Sequence, residues 1–130
     1  MGSMAYDVDE VGKRMESYPN FYVDVAARTK DLSRQPREKV RNFFIKYQDR
    51  ILYGVDLVIR PDVVEKMTEE EIGKLVNKIE AGYRADWDYY AGSGQVKISG
   101  RETEGLNLPA EVLEKFYFRN ARRIIPRLKF

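Results

Sequence analysis

The chain has 130 residues, 43% apolar and 34% charged, and its 23 Lys and Arg against 21 Asp and Glu leave a net charge of +2. It contains neither cysteine nor histidine, which removes disulfides, thiolate nucleophiles, Cys/His zinc sites, Ser-His-Asp triads and imidazole acid–base chemistry. The size and apolar share are those of one folded domain, residues 1–130, rather than of a disordered chain.

Met1-Gly2-Ser3-Met4 reads as start residues whose side chains carry little weight. No basic region leads into an apolar run, and no stretch approaches the ~18–20 consecutive apolar residues of a membrane span, so no membrane association is expected. The absence of cysteine is compatible with a reducing compartment, and a cytoplasmic location is the expectation.

Asp7 is placed to cap a first helix running to Ser17, with Glu10 three residues on and Val8, Val11 and Met15 on one stripe. Tyr18-Pro19-Asn20 breaks it, because proline disfavours helix at the residue before it. Phe21 to Ala26 is short, aromatic and β-branched and reads as a strand. A polar, basic loop follows. Pro36 then opens a helix with Val40, Phe43, Phe44 and Tyr47 at buried-stripe spacing. Ile51 to Val55 reads as a second strand ending at Asp56, and strand, helix and strand make a βαβ unit with parallel strands.

Thr68 and Glu71 form a capping box, and Ile72, Leu75, Val76, Ile79, Tyr83 and Trp87 keep a helical period to about Tyr90. Ala91-Gly92-Ser93-Gly94 stops that helix; Gln95 to Ser99 reads as a short extended piece, and Gly100 to Asn107 as loop. Pro109 opens a last helix to about Ala121, with Val112, Leu113, Phe116 and Tyr117 on one face, and Ile124-Ile125-Pro126 ends regular structure. Four such helices present more apolar surface than two short strands can cover, so self-association or a partner supplying further strands is expected.

Charge is unevenly placed. Residues 28–50 carry eight Lys/Arg against three acids, and residues 115–130 carry six with none. Arg122 and Arg123, among Phe116, Tyr117 and Phe118, make a weak candidate anion site; solvated basic helix faces are the plainer reading, and nucleic-acid binding is not expected. The acids Glu69, Glu70 and Glu71 suit the positive end of a helix dipole and need no metal.

Three pieces in order, Tyr18-Pro19-Asn20-Phe21-Tyr22-Val23-Asp24, Phe43 to Asp56 with its Asp49-Arg50-Ile51-Leu52-Tyr53-Gly54-Val55-Asp56 run, and Gly105-Leu106-Asn107-Leu108-Pro109 leading into Leu113 to Ala121, resemble the C-terminal part of the amidohydrolase-related metal-dependent hydrolases. The resemblance covers about Asp7 to Pro126. It implies an α/β fold, the last portion of a (β/α)8 barrel, with two main parallel strands and about four helices in this chain. It also implies one or two divalent metals, often zinc, at the barrel mouth of full-length relatives. There an H-x-H pair, two further histidines and a final aspartate hold the metal, and that aspartate is the base toward the metal-bound water.

Asp56 occupies the aspartate's position and is the single metal-binding and catalytic residue that carries over. Val55 stands where the family has a small threonine or serine. The chain begins where the family's metal-binding histidines end, so it reads as a portion truncated before them. No cofactor is expected in it alone, and hydrolysis or decarboxylation is expected only of a completed enzyme. A partner supplying the H-x-H strand would let Asp56 complete a metal site. Asp24, Tyr22 and Tyr53 are possible pocket-lining residues, though strand tyrosines usually pack with a hydrogen-bonded hydroxyl, and for Asp24 a cap on neighbouring backbone is the favoured reading.

Overall fold

In the computed structural model, which describes residues 1–125 and Arg127, Asp7 caps the first helix by accepting a hydrogen bond from the Asp9 N–H. That helix, α1 (Val8–Ser17), buries Val8, Val11 and Met15, the stripe expected from spacing. Met1 and Ala5, ahead of it, are also buried, so the start of the chain takes part in the core. Strand β1 (Val23–Asp24) leads through a short helix, α2 (Thr29–Leu32), to α3 (Arg37–Lys46), whose Val40, Phe43 and Phe44 are buried. The Tyr47 hydroxyl after α3 donates to Glu16 of α1 at 2.8 Å, tying the two helices together. Strand β2 (Ile51–Leu52) pairs parallel with β1 in the register Val23↔Ile51 and Asp24↔Leu52.

Beyond β2 come α4 (Pro61–Val64) and α5 (Glu69–Ala91), the latter started by the Thr68/Glu71 capping box with both reciprocal hydrogen bonds in place. Strands β3 (Gln95–Ile98) and β4 (Arg101–Glu104) form an antiparallel hairpin. Its two turn residues, Ser99 and Gly100, both have positive φ, 49° and 83°, the conformation whose twist matches that of the flanking strands. Helix α6 (Ala110–Glu114) runs on through a π-helical turn at Lys115–Arg119 into α7 (Asn120–Ile124). The expected end of regular structure at Pro126 lies outside the described residues, as do Lys129 and Phe130 of the basic tail.

These observations overturn the partial barrel. Among the described residues there are two small sheets, one parallel pair and one antiparallel pair, and six helices rather than four when α6, the π turn and α7 are taken as one. The strands expected over 21–26 and 51–55 shrink to two residues each. For β2 the cause is a tertiary contact: the Tyr53 N–H donates to the Phe116 carbonyl of the last helix at 2.8 Å, so the strand's next hydrogen bond goes to a helix and not to a third strand. A closed barrel needs every strand paired on both sides.

The core is helical and aromatic instead. The Phe116 ring meets Phe44 at 5.3 Å and Tyr90 at 4.8 Å, both edge-on, an arrangement favoured by the ring quadrupoles. Residues 105–108 are laced to the end of α5: Leu106 N–H donates to the Tyr89 carbonyl and Leu108 N–H to that of Tyr90. Gly105 fits there because a β-carbon would lie 2.2 Å from the Gly92 carbonyl oxygen. Along α5 only Tyr89 and Tyr90 are buried, so most of its apolar stripe is left without a core to enter. Among the described residues no helix is long and apolar enough to cross a membrane.

Candidate functional site

The carboxyl-terminal ends of β1 and β2 open into a cleft of about 530 Å³, the end at which parallel strands in α/β proteins commonly present ligand sites. One wall is the inner face of α5, with Leu75, Lys78, Ile79, Tyr83 and Asp86; Gly54 to Leu57 follow β2 along another. Ala27, Thr29 and Lys30 at the start of α2 and Lys97 to Ser99 at the hairpin tip complete it. Lys30, Lys78 and Lys97 make no ion pair among the described residues.

Asp86 is the cleft's most constrained acid. Its Oδ2 accepts a hydrogen bond from the Tyr53 hydroxyl at 2.9 Å, and Thr29 and Tyr90 share a hydroxyl contact at 3.0 Å beside it. Burial raises the Asp86 carboxyl above its ordinary value, against hydrogen bonds from Tyr53 and Thr29 that pull the other way. Burial first, and then the charge of Asp86, hold the Tyr53 phenol well above its usual range. A carboxyl raised by folding is protonated more readily in the native than in the unfolded state. Its contribution to stability is therefore greatest below the unfolded value and is lost as pH rises through the raised native one. Asp86→Asn keeps an acceptor for Tyr53 and removes the charge. Urea titrations between about pH 4 and about pH 7 should then lose the part of the decline due to this group; an unchanged slope would show that burial is not perturbing Asp86.

The residues singled out from sequence end up in different places. Asp56 lines the cleft, is exposed, and has no hydrogen bond or ion pair among the described residues. Asp24 is exposed at the end of β1, and its Oδ1 accepts from the Ala26 N–H at 2.9 Å, a local backbone cap. Tyr53 is half-buried, packed on Phe116 and Tyr117 with its hydroxyl on Asp86, while Tyr22 is exposed and outside the cleft. Arg122 lies over the Phe118 ring at 5.9 Å and Arg123 donates to the Asp49 carbonyl, so both guanidinium groups have partners on their own chain. Glu71 is engaged in its helix cap.

Asp86, Thr29 and the three lysines were not picked out from sequence. For Asp86 a signal existed: it lies three residues after Tyr83 and four before Tyr90, an acid on an otherwise apolar helical stripe. A catalytic zinc takes about three protein ligands. Among the described residues no group of three or more His, Cys, Asp or Glu side chains is placed to hold a metal ion. Asp56 brings one carboxylate and Asp86 is engaged by Tyr53, so these residues by themselves do not fit such a centre. No protein-family model, curated protein or solved structure matches the chain.

Proposed function

We propose that the chain is the C-terminal portion of a metal-dependent, amidohydrolase-type hydrolase or decarboxylase, inert by itself, with Asp56 as its one contribution to the metal site. The reading is supported by where Asp56 lies: four residues past the parallel strand β2, in the cleft, with a carboxylate that no neighbour among the described residues engages. The other ligands, histidines in the family the sequence resembles, would come from outside the chain. A cytoplasmic setting accords with the absence of cysteine.

The test has two arms. The isolated chain, dialysed against zinc and analysed for metal, is expected to retain no stoichiometric zinc and to show neither hydrolysis nor decarboxylation; tight zinc with turnover would overturn inertness. Reading the coding region upstream should reveal an in-frame stretch bearing an H-x-H pair, and its absence there removes the reading.

A second reading, assembly with further copies of the chain, is favoured by a separate observation. Ile72, Val76, Tyr83 and Trp87 of α5 stand exposed, Trp87 at 52%, and large uncovered apolar patches mark interaction surfaces.

A further inference from the structure

Between β2 and α4 the chain runs through Gly54 to Ile59 without helix, strand pairing, turn or bend. Its N–H and C=O groups make no hydrogen bond among the described residues. The sequence is rich in strand-forming residues, Val55-Asp56-Leu57-Val58-Ile59-Arg60. Those side chains are exposed, Val55 to Leu57 along the open cleft and Val58, at 76%, and Ile59 beyond it. Arg60 has extended backbone, φ −99° and ψ 110°. An apolar segment with unpaired backbone groups is a template for an incoming strand.

We propose that this segment pairs antiparallel with the same segment of a second copy, centred on Val58. The occupant follows from charge. In that register Asp56 of each copy lies directly opposite Arg60 of the other, Leu57 lies opposite Ile59, and Val58 lies opposite Val58, so two-fold symmetry makes two ion pairs. Centring on Leu57 sets Asp56 against Val58, and centring on Ile59 sets Asp56 against Asp62; neither pairs the charges. Pro61, which has no N–H, ends the ribbon at Arg60. Arg60 already bonds Asp62 at 2.8 Å, but both side chains are well exposed, and an exposed pair of that kind is cheaply exchanged. Pairing also brings the partner copy's Arg60 against Asp56 at the rim of the cleft, so the second copy adds a cation to the site. This self-pairing does not depend on the metal-dependent reading, and its test reads neither metal nor turnover.

A ribbon of this length buries well under the ~1,600 Å² of a standard interface, so the association is weak and concentration-dependent. Sedimentation equilibrium from about 10 μM to about 1 mM spans the range of such weak contacts. The intact chain is compared with Asp56→Arg, Arg60→Asp and the double exchange D56R/R60D. Each single reversal sets like charges opposite one another twice and is expected to weaken the dimer by about tenfold; the double exchange recovers it. Hydrogen exchange gives a second readout, with amides inside residues 55–60 slowing as the intact chain is concentrated. A chain that stays monomeric to the top of the range overturns the proposal. So does a dimer equally strong in all four proteins, or one in which these amides stay fast.

Discussion

Replacing Phe116 by alanine is expected to cost about 3–5 kcal/mol of folding stability, the range for truncating a fully buried aromatic ring. The side chain is 2% exposed and sits at the centre of the aromatic cluster, with Tyr53 at 5.6 Å and Tyr117 at 4.8 Å in addition to Phe44 and Tyr90. Four large rings of the cluster thus lose a neighbour at once. The backbone hydrogen bond from Tyr53 to the Phe116 carbonyl survives the substitution, so the measurement isolates packing. Urea unfolding at constant m would read it. Since domains of this kind have about 5–15 kcal/mol in total, the loss is a large share of the stability and the unfolding midpoint should fall clearly. A loss under about 1 kcal/mol would mean that the ring is not in the core.

Asn120→Ala is expected to cost about 2–4 kcal/mol, because the buried Ile51 carbonyl left without a donor costs about 1–3 kcal/mol and the part-buried Gln48 carbonyl about 1 kcal/mol. The Asn120 Nδ2 donates to the Gln48 carbonyl at 2.7 Å and to the Ile51 carbonyl at 2.8 Å, and the residue is 2% exposed. These two bonds pin α7 to the end of α3 and the start of β2, where the chain has no other buried donor for those carbonyls among the described residues. Asn120→Leu, which fills the volume without donating, should be nearly as damaging as alanine in the same urea assay. If it restored stability, the site would be one of packing and not of hydrogen bonding.

Part of this architecture was legible in the residues. The three long helices α1, α3 and α5 start and stop close to where caps, prolines and glycines place them, since these are local effects. The parallel pairing of the strands around 23 and 51 was also visible from the strand, helix and strand order. The hairpin was not. Val96 and Ile98 alternate as a strand should, but Arg101 to Glu104 is polar throughout and has no apolar face to reveal it, and the turn rests on a non-glycine residue, Ser99, with positive φ. The short helices α2 and α4, four residues each, have too few turns to show a period.

The site divides in the same way. Asp56 could be marked from its neighbours in sequence, because the run from Asp49 to Asp56 is continuous. Asp86 and Tyr53 are 33 residues apart, and nothing local to either one predicts that α5 folds back so that a phenol meets a carboxylate.

What the sequence by itself determined is therefore local and chemical: no histidine or cysteine chemistry, caps and breaks for the long helices, the stripe of each, and one acid after a strand. The tertiary structure alone decided where those stripes go. Length and period on α5 say that Ile72, Val76, Tyr83 and Trp87 share a face, but whether that face is buried depends on how many other elements are present to cover it, a non-local quantity. Among the described residues they are too few, because the backbone after Leu52 bonds to a helix where a third strand would be needed, and the apolar face and the cleft beneath it stay open.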